Sequence, residues 1–192
     1  MGVMTSDDYE SGSISAAFGG NSCFVPFAAQ KTGQSLASTI QTYDDRATLK
    51  SVVDWSYHLI LTDPTPEVLA ELPDVFARGI TSFKVFMTYA TRVSDAQFLD
   101  ILSMAGRHGG LTMVHAENHD MLDWMGSRLV DGRNLEPRYH APSRPALAEE
   151  EAINRAISLA RLADAPLFIV HVSTPGGAET IASARAAGGR VW

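Results

Sequence analysis

The chain lacks several features that would assign it to a common class of protein. Cys23 is the single cysteine among 192 residues, so no internal disulfide can form, and a reducing, cytoplasmic compartment is the simplest expectation. No apolar run approaches the roughly 20 residues that span a bilayer. The net charge is −7 and lysine and arginine form no run, which argues against nucleic acid or a membrane as a partner.

Nucleotide-binding signatures are also missing, since there is no G-x-G-x-x-G motif and no P-loop. The sequence instead alternates short apolar runs with longer segments of helical periodicity. The apolar runs predict strands at 22–27, 55–61, 82–87, 111–116 and 166–172, and a further strand begins at Arg190. The segments between them predict helices over 34–50, 65–79, 94–110, from about 118, over 146–163 and over 175–187. Ser94 is a plausible N-cap, and Pro73 is expected to kink or split its helix.

This alternation without hairpin signals predicts an α/β protein with a parallel sheet, either an open doubly wound sheet or a barrel. Residues 1–192 supply about five strand–helix units and no sign of a second domain, so a single domain is expected. The strand that begins at Arg190 has no room to finish before Trp192. We therefore expect the chain to be a piece of a longer protein.

Three nitrogen-bearing side chains occupy comparable positions near the ends of predicted strands. Lys84 lies inside the apolar run SFKVFM, His115 closes LTMVH, and His171 closes LFIVH. The carboxyl ends of parallel strands form the active face of such folds, and imidazoles suit zinc and similar metals. Taken singly, each histidine is more often a core or surface residue, and the lysine could extend its amine to water. The coincidence of all three favours a metal site.

A lysine becomes useful beside metals if its neutral amine reacts with carbon dioxide. The product is an anionic carbamate whose two oxygens can bridge two cations. Burial lowers the pKa of a lysine and so exposes the neutral amine. Lys84 is therefore a candidate metal ligand in the form of a carbamate.

Three motifs in order resemble the dihydropyrimidinase and D-hydantoinase family of cyclic amidohydrolases. They are FKVFMTY at 83–89, VHAENHD at 114–120 and IVHVS at 169–173. The stretches at 5–20 and 138–160 extend the resemblance over essentially the whole chain. The resemblance implies a (β/α)8 TIM barrel, of which this chain is the central part, truncated at both ends.

The resemblance also implies a site. Two divalent metal ions, with zinc as the expected metal, would be bridged by the carbamate of Lys84, and His115 and His171 would bind one of them. Tyr89 resembles the residue that bonds the substrate carbonyl and its developing oxyanion, a catalytic and substrate-binding role. The sequence contains no His-x-His pair, which the family has at its first strand, and His119 stands where the family usually has glycine.

The implied activity is hydrolysis of a cyclic amide, the ring opening of a dihydropyrimidine or a hydantoin, by a homotetramer. A close alternative is an allantoinase or dihydroorotase-type enzyme. An alternative of another class is a non-catalytic, dihydropyrimidinase-like assembly protein, against which the presence of Lys84 and His171 argues.

The remaining polar residues of interest have less specific interpretations. Glu117 is either a residue that orients His115 or a solvated loop carboxylate. The acidic run 149–151 is expected to favour the first turn of its helix through the helix dipole. We expect a core histidine at His58 and loop histidines at His119 and His140.

Overall fold

The computed structural model describes residues 5–192, so residues 1–4 of the predicted domain lie outside the described part. The chain divides into two compact units, one that ends at Ser82 and one from Phe83 to Trp192. The assignment of residues 1–192 to a single domain stays a prediction. Among the described residues, no helix has both the length and the apolar character needed to cross a membrane.

The first unit contains short strands and helices in alternation. Its elements are α1 (Tyr9–Phe18), β1 (Cys23–Phe24), β2 (Phe27–Ala29), α2 (Leu36–Ala47), β3 (Asp54–Trp55), β4 (His58–Ile60), α3 (Pro66–Ala70) and α4 (Leu72–Ala77). Strand β1 pairs with β3, and β2 pairs with β4, both in parallel. This part of the chain therefore has the predicted parallel pairing.

Two predicted strands of this unit are each divided in two. The run 22–27 becomes β1 and β2, and the run 55–61 becomes β3 and β4. Pro26 lies at the first break and has no N–H to donate to a ladder, although its carbonyl accepts from the N–H of His58 at 3.0 Å. The division of the helix over 65–79 at Pro73 is confirmed, since α3 ends at Ala70 and α4 begins at Leu72.

Helix α1 was not among the predicted elements. Its sequence YESGSISAAF has little helical periodicity, and only Ser13 is fully buried. The helix is instead fixed at its start, where the Asp8 carboxylate accepts from the N–H groups of Glu10 and Ser11 and the Ser11 hydroxyl accepts from the N–H of Asp8. Such a local capping arrangement is easily overlooked in a Gly- and Ser-rich stretch.

The second unit begins within β5 (Ser82–Phe86). It continues with α5 (Asp95–Arg107), β6 (Leu111–His115), α6 (His119–Asp131), a 3-10 turn (Pro137–Tyr139), α7 (Ala146–Leu162), β7 (Leu167–Ile169) and α8 (Pro175–Ala186). Strands β5, β6 and β7 are neighbours in that order, and β6 and β7 are parallel with Val114 opposite Ile169. The predicted N-cap at Ser94 is confirmed by a capping box with Gln97.

The pleat of these strands decides which side chains can form a site. Phe83 and Val85 of β5 and Val114 of β6 are completely buried. Lys84 and His115 occupy the alternate positions of their strands and therefore face the other way. Strand β7 is shorter than predicted, so His171 lies two residues beyond its end.

Candidate metal centre

Lys84 is enclosed in the middle of β5, with only 3% of its surface exposed. Its Nζ lies 4.0 Å from the centroid of the Phe86 ring. Burial lowers the pKa of Lys84 to about 8, because the ammonium form loses its hydration. A larger fraction of this amine is therefore neutral near pH 7 than in an ordinary lysine.

The two predicted histidine ligands lie directly against each other. Their ring centroids are 4.7 Å apart, and Nδ1 of His115 is 3.0 Å from Nε2 of His171. His115 ends β6 and His171 follows β7, so the pairing of these parallel strands brings the two rings to the same edge. The Phe86 ring packs 5.7 Å from the His115 ring, and the Lys84 amine lies over the same Phe86 ring, so Lys84 and His115 share this neighbour.

This arrangement fits a metal ion. Two nitrogens bound to one tetrahedral zinc at 2.0–2.1 Å would be about 3.3 Å apart. The observed 3.0 Å between the two imidazole nitrogens is close to that separation. Residues 5–192 contain no group of three or more histidine, cysteine, aspartate or glutamate side chains that could hold a metal by itself. Lys84 as a carbamate stays the predicted third ligand from this part of the chain.

The electrostatics of His115 favour a neutral ring. Burial lowers the pKa of His115, the neighbouring Glu117 carboxylate raises it in part, and the charges of His171 and Lys84 lower it further, with a net lowering. The Nε2 atom lies 2.5 Å from Oε2 of Glu117, so Nε2–H donates to the carboxylate. The Nδ1 atom then keeps the lone pair that faces His171, as metal-binding histidines require.

Glu117 is held between two partners rather than being solvated. Its side chain is 14% exposed, and the same Oε2 atom accepts from Nη1 of Arg144. Burial raises the pKa of Glu117, but the hydrogen bonds from Arg144 and His115 and the charge of Arg144 outweigh it, with a net lowering. Of the two interpretations of Glu117, the contacts support the one in which it orients His115.

Sequence reasoning missed Arg144. The residue lies in the polar segment 131–145, and 27 positions separate it from Glu117. Its guanidinium carbon also lies 5.2 Å from the centroid of the Tyr89 ring. Burial lowers the pKa of Arg144, but the Glu117 hydrogen bond and charge, with a contribution from Tyr89, raise it overall. No spacing rule links these residues, because only the fold brings them together.

Tyr89 lies beside the histidines in the loop after β5. Its ring is 5.1 Å from the His115 ring and 5.9 Å from the Phe86 ring, and the residue is 37% exposed. The predicted substrate-binding residue therefore borders the candidate metal position and also reaches solvent. This position is compatible with the predicted role of the Tyr89 hydroxyl as a hydrogen-bond donor to a bound substrate.

Two of the site residues have strained backbone conformations. Tyr89 has φ = 70° and His171 has φ = 41°, the left-handed region that large side chains seldom occupy. Such strain collects at functional sites, where the surrounding structure enforces it. At His171 the Ser173 hydroxyl donates to the carbonyl of His171 at 2.9 Å, and the Ser173 N–H donates to the Glu149 carboxylate at 2.9 Å.

The remaining histidines lie elsewhere. His119 begins α6, with its Nδ1 at 3.4 Å from the Thr88 hydroxyl, and helps to line a pocket of about 210 Å³ beside Tyr89 and Arg144. His58 belongs to the first unit, where its Nδ1 lies 2.5 Å from the Ser82 hydroxyl. His140 caps the 3-10 turn.

Strand–helix alternation with polar residues at the strand ends defines part of an α/β barrel. The solved structures that superpose on the chain have this fold, and the predicted partial (β/α)8 TIM barrel is confirmed. A dihydropyrimidinase from Brevibacillus agri superposes with a TM-score of 0.95 at 42% identity, covering 100% of this chain and 42% of that chain.

Comparison of sequences confirms the resemblance that the motifs indicate. The D-hydantoinase of Geobacillus stearothermophilus is 42% identical over 194 residues, which cover 100% of this chain and 41% of that relative. The D-hydantoinase of Ralstonia pickettii is 40% identical over 190 residues, 98% of this chain and 42% of the relative. The chain thus resembles the dihydropyrimidinase and D-hydantoinase family and spans about two fifths of the length of these relatives. No protein-family model matches the chain.

Proposed function

We propose that this chain is part of a metal-dependent hydrolase that opens cyclic amide rings of the hydantoin or dihydropyrimidine type. The observation that carries the proposal is the approach of Nδ1 of His115 to Nε2 of His171, 3.0 Å apart, beside a buried lysine. Relatives at 40–42% identity are named D-hydantoinase, which supports this substrate class.

In this proposal the residues of the second unit hold part of a site for two divalent cations, with zinc as the metal. His115 and His171 would bind one cation. The neutral amine of Lys84 adds carbon dioxide and releases a proton, and the two oxygens of the resulting carbamate would bridge the pair. The lowered pKa of Lys84, about 8, supports this modification because only the neutral amine reacts.

When bound, such cations activate water and polarise a carbonyl group. The residues of this chain would then do the rest. Tyr89 would donate its hydroxyl proton in a hydrogen bond to the oxygen of the ring carbonyl, where negative charge develops during attack. Glu117 would keep the proton of His115 on Nε2, and the left-handed turns at Tyr89 and His171 would hold both side chains ready.

The family resemblance further suggests a homotetramer that acts on a small cyclic ureide. A single cysteine, Cys23, agrees with a reducing, cytoplasmic setting. Both statements are part of the proposal and are open to direct measurement by ultracentrifugation and by fractionation of cells.

The test uses the complete protein that contains this chain, purified with and without added zinc. We expect about two bound metal ions per subunit and ring opening of hydantoin and dihydrouracil. Faster turnover of allantoin or dihydroorotate would favour the allantoinase or dihydroorotase alternative. A protein that binds no metal and opens none of these rings would refute the proposed function and favour the non-catalytic alternative.

A further inference from the structure

We propose that Arg144 is a positioning residue that holds Glu117 and Tyr89 in place together and, through Glu117, keeps the proton of His115 on Nε2, so that an unprotonated Nδ1 faces His171. The inference rests on the proposed function, since it assigns a role toward the metal and the substrate. It concerns residues of this chain only and is carried by their contacts.

Glu117 determines which tautomer His115 adopts. The Glu117 carboxylate lies 2.5 Å from Nε2 and accepts its proton, which leaves the lone pair on Nδ1. Nδ1 lies 3.0 Å from Nε2 of His171, so without a metal the unprotonated Nδ1 accepts a hydrogen bond from that nitrogen. With the proton on Nδ1 instead, an N–H bond would occupy the space between the rings, and His115 could not bind a metal through this atom.

Glu117 lies outside any helix or strand, so contacts with other residues fix its position. It lies in the loop between β6 and α6, and Nη1 of Arg144 donates to the same Oε2 atom that accepts from His115. The loop is also tied to the start of α7, because the N–H of Asn118 donates to the carbonyl of Ala148 at 2.9 Å. Arg144 lies two residues before α7, so this backbone bond keeps the segments that carry Glu117 and Arg144 close together.

The guanidinium of Arg144 makes a second contact, with the ring of Tyr89. Its carbon lies 5.2 Å from the centroid of the Tyr89 ring, which itself packs 5.1 Å from the His115 ring. A planar guanidinium can donate to a carboxylate along its edge and stack on an aromatic ring with its face, whereas the ammonium of a lysine cannot do both. Arg144 therefore connects the residue expected to touch the substrate with the residue expected to bind the metal.

The chain offers a matched control in Arg138. Its Nη2 lies 2.9 Å from the Glu136 carboxylate, and its guanidinium carbon lies 5.0 Å from the Tyr139 ring, so the same three residue types meet in the same way. Arg138 and Glu136 are exposed, and they lie at the 3-10 turn rather than beside His115 and His171. A general effect of losing an arginine would appear both when Arg138 is replaced and when Arg144 is replaced.

The experiment compares Arg144→Met, Arg144→Lys, Glu117→Gln and Arg138→Met in the complete enzyme. Zinc affinity is measured by competition with a chelator, and kcat and KM are measured with hydantoin. Loss of residues that orient metal ligands costs about 10- to 100-fold in metal affinity. We expect a loss in this range for Arg144→Met and Glu117→Gln, a smaller loss for Arg144→Lys, and none for Arg138→Met.

A second readout separates positioning from simple loss of packing. In metal-free protein with ¹⁵N-labelled histidine, the wild type should show His115 protonated at Nε2. Arg144→Met should add a population protonated at Nδ1, and millimolar guanidinium should restore both the wild-type spectrum and zinc affinity, while sodium should not. If Arg144→Met fails to fold, zinc affinity and the His115 spectrum of Arg144→Lys and Glu117→Gln test the role of Arg144 instead.

The outcomes keep the inference separate from the proposed function. A wild-type protein that binds no zinc would refute the proposed function, and with it this role. A wild type that binds zinc and opens hydantoin, with Arg144 and Glu117 variants that match Arg138→Met in zinc affinity and in the His115 spectrum, would refute the role of Arg144 alone.

Discussion

Lys84 is the residue of the candidate site whose charged form is most disfavoured by burial among apolar side chains. Lys84 is 3% exposed, and burial lowers its pKa to about 8 because the ammonium form loses hydration. In the proposed function, conversion to a carbamate would replace this poorly hydrated cation with an anion that two cations could share.

We therefore expect Lys84→Ala to lose most of its bound metal in the complete enzyme. Addition of bicarbonate with a short carboxylic acid should restore part of the metal content and activity, because the acid can fill the space of the carbamate. Metal content by atomic emission is the measurement, and Lys31→Ala, at an exposed lysine of the first unit, is the control. A Lys84→Ala protein with the wild-type metal content would contradict the assignment.

Tyr89 should act on the chemical step rather than on the metal. The substitution Tyr89→Phe keeps the ring that packs against His115 but deletes the hydroxyl. Removal of one oxyanion donor lowers turnover by about 100- to 1000-fold. We expect a decrease of kcat in this range with unchanged metal content.

The control for this experiment is Tyr139→Phe, at the tyrosine stacked by Arg138 on the 3-10 turn. It should retain wild-type kcat. If Tyr89→Phe also turned over like the wild type, the hydroxyl would have no role in catalysis, and the ring alone would explain the position of Tyr89.

At the level of elements, the first two turns of α7 connect the loops that follow β6 and β7. Glu149 accepts from the N–H of Ser173, two residues after His171, and the Glu151 carboxylate accepts from the side chain of Asn118, three residues after His115. The sequence predicts an acidic helix start stabilised by the dipole. In the structure these carboxylates also bind the ends of β6 and β7.

We expect Glu149→Ala to weaken the hold on the left-handed turn at His171. A hydrogen bond at an exposed site contributes about 1 kcal/mol, which corresponds to about a fivefold change in an equilibrium constant. Zinc affinity of the complete enzyme should therefore decrease by about fivefold, as measured with a chelator. Glu149→Gln keeps one oxygen acceptor and should lose less.

The neighbouring Glu150 gives the matched control, since it lies on the same turn against Gly176 rather than Ser173. The substitution Glu150→Ala removes the same charge from the helix start. Equal losses in the Glu149→Ala and Glu150→Ala proteins would mean that only the helix dipole matters, and that the bond to Ser173 does not position His171.

The parts of this architecture that could be predicted are those encoded locally. The capping box at Ser94, the break at Pro73 and the helix 146–163 follow from neighbouring residues. The splitting of the strand at 22–27 is also local, since it occurs at Pro26, which has no N–H to donate to the ladder, and this signal was overlooked. The contact of Arg144 with Glu117 could not be predicted in this way, since it joins residues 27 positions apart.

At the scale of the whole molecule, the second unit exposes apolar surface that a compact protein usually covers. Helix α6 has no fully buried residue, although it carries several apolar side chains. Trp124 and Val130 on this helix and Leu147 on α7 are more than half exposed. Exposed apolar patches of this kind promote association.

For the proposed two-metal site, the described residues supply fewer ligands than two cations need. Residues 5–192 contain no cluster of three or more histidine, cysteine, aspartate or glutamate side chains around a metal position, and the sequence has no His-x-His pair. His115, His171 and a carbamate on Lys84 would supply three ligands, whereas two tetrahedral cations that share a bridge need more. The relatives that the chain resembles are more than twice its length.

We therefore expect residues 1–192, expressed alone, to be inactive and to associate. Inactivity follows from the missing ligands, and association follows from the exposed apolar side chains of α6 and α7. The measurement is ring opening of hydantoin and dihydrouracil with added zinc and bicarbonate, alongside light scattering, with the complete enzyme assayed in parallel. A monodisperse chain with the turnover of the complete enzyme would overturn this expectation and would require a working site built from His115, His171, Lys84 and residues given no metal role here.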